Sequence, residues 1–255
     1  FGFIFTFFSS FGQSYFLGLF NSSIRDALSI THGQFGSIYA SATLCSSLLL
    51  IWVGKKIDDV NIFKFAFFVT ILLSFACFFF SKVSSVLLLF IAIFLMRFSG
   101  QGMMSHTAST TISRYFTRTR GRALSISWFG LSSAEFIMPV LMVYLLTFIG
   151  WQNLWLIFSV TVLIILPIAS FLLIKNLNLE SRETSNENIR EIEIKQWKRR
   201  EVIKDYRFYI ISFNMLAMPW IFTGFAVFQS FVQTSKGWGP YVIAQSFMSY
   251  SIFSV

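Results

Sequence analysis

The chain is built around seven continuous apolar stretches, each close to the length that crosses a bilayer, and they leave little choice of fold. A helix needs about 20 predominantly apolar residues to span the hydrocarbon core. That length predicts helices near residues 1–20, 34–53, 62–81, 84–113, 122–147, 151–175 and 207–234, with an eighth beginning near 240. The runs do not alternate with period two, so they read as helices that satisfy their own backbone rather than as strands of a barrel. Short links such as Phe148 to Gly150 force neighbouring helices to run antiparallel. The expected class is an all-α polytopic membrane protein. Beginning at Phe1 inside one apolar run and ending at Val255 inside another, the chain reads as part of a longer protein.

Only 12% of the residues are charged and 55% are hydrophobic, which excludes an ordinary soluble domain. The net charge of +9 does not point to nucleic acid, because the charges sit in short loops between apolar runs. Sixteen Lys and Arg fall in the even-numbered loops, against Arg25, Lys82 and Lys236 in the odd ones. Positive loops stay inside, so the expected location is the inner (plasma) membrane, with the N-terminus cytoplasmic and lipid as the surrounding partner. No secretory signal is recognisable. Cys45 and Cys77 lie within apolar helices as small hydrophobes, and no metal site, disulfide framework or ATP-binding loop is legible. No cofactor is expected.

Three regions follow: a six-helix bundle over 1–175, a cytoplasmic linker over 176–206, and the start of a second bundle over 207–255. In the linker, Ile189, Ile192, Trp197, Val202 and Ile203 alternate with charge, as in a helix lying on the inner membrane surface. Asp205 suits an N-terminal cap for the next span. A faint repeat relates SITHGQFGSIYASATLCSS, around the second helix, to TSKGWGPYVIAQSFMSYS, around the eighth. Such internal repeats are expected of many transporters.

Two charges lie at membrane depth. Arg97 interrupts VLLLFIAIFLMRFSGQGMM, and Glu135 is alone in the fifth helix. An Arg at a bilayer centre costs roughly 2.5–3.5 kcal/mol on insertion scales, so such a residue faces water, a partner or a substrate. At about 1.5 Å per residue, each sits roughly 20 Å from its own membrane face, on adjacent antiparallel helices. A permanent ion pair ordering the two helices is one reading. The other has Arg97 meeting a substrate carboxylate while Glu135 takes or releases a proton, substrate arrival loosening the hold of Arg97 on Glu135.

Four motifs carry a family resemblance. GKKIDDVNIFK, between the second and third helices, resembles the Gly-x-x-x-Asp-Arg-x-Gly-Arg-Arg element of the major facilitator superfamily. Gly54 and Asp58 match it, while Asp59 and Asn61 replace the usual basic residue and Gly. RFSGQG resembles that family's Arg-x-x-x-Gly element, with Arg97 at its start and Gln101 or Gly102 at its end. RGRALSISWFGLSSAEFIMP and GWQNLWLIFSV look like its fifth and sixth helix entries. The resemblance implies a twelve-helix carrier of two bundles around a central cavity, working by alternating access. It is closest to carriers of monocarboxylates and related small organic anions. Gly130 and Pro139 fall short of the Gly-rich fifth helix of drug–proton antiporters.

The expected substrate-binding residues are Arg97, Gln13, Tyr15, Gln101 and Asn214; the proton-coupling residues are Glu135 and His106. Asp58 and Asp59 are expected to pair with Arg114 and Arg118 at the inner surface and, with Gly54, to hold one access state. In the seventh helix Asn214 and Gln229 are the candidates for lining the cavity, and Pro219 is expected to bend it. Asn21-Ser22-Ser23 matches a glycosylation acceptor, a pattern too short to carry weight. The expected function is a monomeric secondary transporter of a small organic solute, an anion, coupled to protons. The alternatives are an intramembrane transferase-type enzyme and a non-transporting sensor or scaffold with the carrier fold. Removing the charge of Arg97 separates them, since only a carrier loses uptake while staying folded and inserted.

Overall fold

In the computed structural model, which describes residues 1–116, 118–174 and 199–254, the apolar runs are helices. The first span is not one rod. It comprises α1 (Gly2–Ser9), a 3-10 turn (Ser10–Gly12), α2 (Ser14–Leu19) and α3 (Asn21–Leu28). The second is α4 (His32–Val53), followed by the short α5 (Lys56–Asp59) and by α6 (Ile62–Ser81). The fourth runs as α7 (Val86–Met96), a π-helical segment (Arg97–Met104) and α8 (Ser105–Tyr115). Then come α9 (Arg120–Leu145) and α10 (Trp151–Ile174). After the linker follow α11 (Arg199–Lys204), α12 (Tyr206–Val227), α13 (Gln229–Lys236) and α14 (Pro240–Phe253).

Among the described residues, six helices are long and apolar enough to cross a membrane. The broken first span falls outside that set, and its apolar part, Gly2–Gly12, is shorter. The helix starts are encoded locally. Thr31 and Gln34 form a reciprocal capping box on α4, Asn61 caps α6, Ser85 caps α7, and the carboxylate of Asp205 accepts the Arg207 N–H at the start of α12. The amphipathic stretch expected from Ile189 falls mostly outside the described residues; within α11, Ile203 is exposed and Val202 half-buried.

The chain forms two compact units, Phe1–Asn176 with Ala226–Val255, and Leu177–Phe225. In the first, α6 packs along α10, where Ser74 Oγ donates to the Ser159 carbonyl (2.9 Å) and Ser159 Oγ returns the bond (2.8 Å). Hydroxyls crossing between helices are one way membrane bundles adhere without a hydrophobic driving force. Beside them, Trp155 is fully buried, with ring centroids of Phe80 at 4.4 Å, Phe20 at 5.1 Å and Phe16 at 5.7 Å. The α1–α9 contact uses small residues instead. Gly130 lies against the Phe3 carbonyl, and Thr6 Oγ1 donates to the Ser127 carbonyl. Helix α14 covers a further face of α9.

Candidate functional site

The break in the first span sits where it crosses the π-helical segment. Gln13 is extended (φ −79°, ψ 152°), which ends the 3-10 turn and frees the Gly12 carbonyl from helical pairing. A Cβ on Gly12 would fall on the backbone of Met96 and Gln101 and 2.8 Å from Gly100 Cα; one on Gly100 would lie 2.7 Å from Gly12 N. Only glycine at both positions lets the two backbones come this close. The freed carbonyl cannot stay bare at membrane depth. Arg97 Nη1 supplies its donor at 2.9 Å and also reaches Ser14 Oγ at 3.2 Å.

Tyr39 of α4 completes the cradle. Its hydroxyl donates to Ser14 Oγ (2.8 Å), and its ring lies 5.4 Å from the guanidinium carbon, within cation–π range. Arg97 is 6% exposed, and its Nε is buried with no hydrogen-bond partner among the described residues. Gln13 and Gln101, beside the crossing, are half-buried and make no side-chain hydrogen bond among the described residues. Of the residues expected around Arg97, Gln13 and Gln101 thus flank the crossing, and Tyr39 is one the sequence reading missed. A signal existed: Tyr39 is the only aromatic residue between Phe35 and Trp52 in a helix otherwise rich in small residues.

Glu135 is 8% exposed and forms neither an ion pair nor a hydrogen bond among the described residues. It does not pair with Arg97. Its carboxylate lies within electrostatic range of the hydroxyls of Tyr15 and of Tyr250 on α14. Tyr15 is fully buried, and its ring packs 5.6 Å from that of Phe247. The two membrane-depth charges therefore have separate surroundings, one cradled by the first span and α4, the other within electrostatic range of two tyrosine hydroxyls.

The loop motif adopts a third arrangement. Arg114 pairs with Asp58, while its Nη1 donates to the Ile57 carbonyl at 3.3 Å. Asp59 and Arg118 are exposed and make no ion pair among the described residues. His106 Nε2 lies 2.9 Å from the Gly54 carbonyl, so this ring ties α8 to the turn that carries Asp58. Asn214 is exposed in the other compact unit. The described residues hold no cluster of His, Cys, Asp and Glu that could bind a metal.

No curated protein matches the chain as a relative. The family model described as Major Facilitator Superfamily matches residues 2–255, essentially every residue in hand. With helices in this order, a Gly54–Asp58 loop paired to Arg114 and an Arg97 at the mid-depth crossing, the chain belongs to the major facilitator superfamily of membrane transporters.

Proposed function

We propose that the protein is a secondary carrier of a small organic anion, working by alternating access and coupled to protons. Arg97 is the residue that meets the solute carboxylate, with Gln13, Tyr15 and Gln101 lining its path, and Glu135 carries the proton. The observation behind this reading is that the two buried charges do not neutralise one another. A buried guanidinium with an unpartnered Nε keeps capacity for a planar anion, which Arg recognises through paired N–H groups. Glu135, with no cation bonded to it among the described residues, is free to change charge during the cycle. Coupling then passes through the shared helix 1, whose Ser14 bonds Arg97 and whose Tyr15 lies near Glu135, rather than through a direct contact. His106 acts with the inner-surface motif.

The test is uptake of labelled small organic acids by the full-length protein in vesicles, with and without an imposed pH gradient. Saturable uptake driven by the gradient is expected. Glu135→Gln should still bind solute but lose the response to the gradient; undiminished dependence in that variant would remove Glu135 from the coupling. A second reading has its own observation. Nη1 already holds the Gly12 carbonyl and Ser14, so Arg97 could serve solely to staple the break while Gln13 and Gln101 recognise the solute. Arg97→Lys decides between them: a staple lost shows as a lower melting temperature with KM unchanged, a lost anion contact as a raised KM at unchanged melting temperature.

A further inference from the structure

The faint sequence repeat becomes a conformational one. Phe20 (φ −94°, ψ −1°) and Phe228 (φ −99°, ψ 16°) interrupt their helices in nearly the same backbone geometry. Each is followed by an eight-residue helix, α3 or α13. Each of those helices ends on a left-handed residue, Ser29 (φ 53°) or Gly237 (φ 65°). Two residues on, Thr31 (φ −76°, ψ 164°) and Gly239 (φ −67°, ψ 162°) start the next span, α4 or α14. The two segments are one design used twice.

The first residue after each hinge is a buried amide, and each reaches the opposite segment. Asn21 Nδ2 donates to the Val227 carbonyl (2.7 Å), and Gln229 Nε2 donates to the Tyr15 carbonyl (2.9 Å). Arg25 Nε donates to Asn21 Oδ1 (2.8 Å), which turns the amide N–H toward Val227. The backbones are close enough that a Cβ on Gly18 would collide with the Ala226 carbonyl, and the ring of Phe228 rests on Gly36. This closed contact lies at the end of the unit opposite the Asp58–Arg114 pair.

We propose that Asn21 and Gln229 form a paired amide latch that closes this end of the carrier and opens once in each transport cycle. Its chemistry suits a reversible contact. Both bonds are neutral, so each contributes modestly beside a charged pair. Gln229 Oε1 is buried without a partner among the described residues, so the closed form is incompletely satisfied. The contact across Gly18 is backbone against side chain and backbone, and the rings beside it, Phe228 on Gly36 and Phe231 on His32 (5.0 Å), make contacts without hydrogen bonds to break. The hinges at Phe20 and Phe228 give both tips a place to bend. The latch depends on the chain being a transporter and not on the identity of its solute.

The test uses the full-length protein in lipid nanodiscs, with Cys45→Ser and Cys77→Ser and spin labels on Asp26→Cys and Ser235→Cys, both exposed positions. Pulsed electron spin resonance then reads the distance across the latch. A short and a longer population are expected. Gln229→Met keeps the side-chain length but removes the donor, and should lower the short-to-long ratio about fivefold, the value of one ordinary hydrogen bond. Asn21→Leu should do the same, and the double variant should go further. Should Asn21→Leu fail to fold, Asn21→Asp keeps the Arg25 contact while deleting the donor. An unchanged distribution in Gln229→Met, or a single short distance while the protein is transporting, overturns the latch.

Discussion

Where α6 lies against α10, two continuous helices exchange a matched pair of serine hydrogen bonds, and the backbone around that pair stays helical on both sides. Where helix 1 crosses the π-helical segment, both helices are irregular, a carbonyl is freed, and a buried charge with an unpartnered nitrogen is brought in to meet it. Both contacts bury polar groups at membrane depth. The first leaves its serine pair satisfied. The second is left incomplete. A lipid environment penalises such incompleteness heavily, so where it persists it marks a place that something else must occupy or move.

The strongest way to break the contrast is at its narrowest point. Gly12→Ala should cost more than ~3 kcal/mol, beyond the usual overpacking penalty, because the added methyl meets backbone that cannot step aside. Its melting temperature in detergent reads this directly, and a near-wild-type value would mean that the crossing is looser than described. Arg97→Met comes next. It strands the Gly12 carbonyl at a cost of about 1–3 kcal/mol, and the lost charged contact should raise KM for an anionic solute roughly 10–100-fold. On the regular side, Ser74→Ala should cost only ~0.6 kcal/mol per bond lost, and the Ser74–Ser159 double-mutant cycle should show a coupling of the same small size. Smallest in stability is Asp58→Asn. The pair with Arg114 is largely solvent-exposed and contributes about 0–1 kcal/mol, so melting should barely move. Turnover should nevertheless fall more than solute affinity, if the pair governs the change of access state; an affinity loss alone would separate it from that change.

The spans and their starts were legible because each is written within a few residues. A run of apolar side chains, Thr31 with Gln34, Asn61 before Phe63 and Asp205 before Arg207 act over one turn of helix. The expectation of one rod over residues 1–20 failed for the opposite reason. The break at Gln13 depends on Gly12 meeting Gly100, on a helix far along the chain, and no local preference announces that meeting. The same holds for Tyr39, whose ring and hydroxyl matter only once Arg97 and Ser14 are beside it. Asn21 read as the start of a short surface motif, and its buried bond to Val227 became visible only with the end of α12 in place. For Asp58, by contrast, helix order was enough, because its loop and that of Arg114 fall at the same end of their helices; Asp59 and Arg118, expected there too, make no ion pair among the described residues.

By itself the sequence determined that this is a bundle of membrane helices with one cation and one carboxylate at mid-depth, because hydrophobic length and charge placement act through the bilayer, a solvent common to every residue. Whether those charges bind each other was decided only in three dimensions. Adjacent helices at matching depth allow a pair, but rotation about each helix axis sets where the side chains point, and that rotation is fixed by distant glycines, a freed carbonyl and a tyrosine. Here it turns Arg97 to the broken backbone of the first span and leaves Glu135 apart from it, within electrostatic range of Tyr15 and Tyr250.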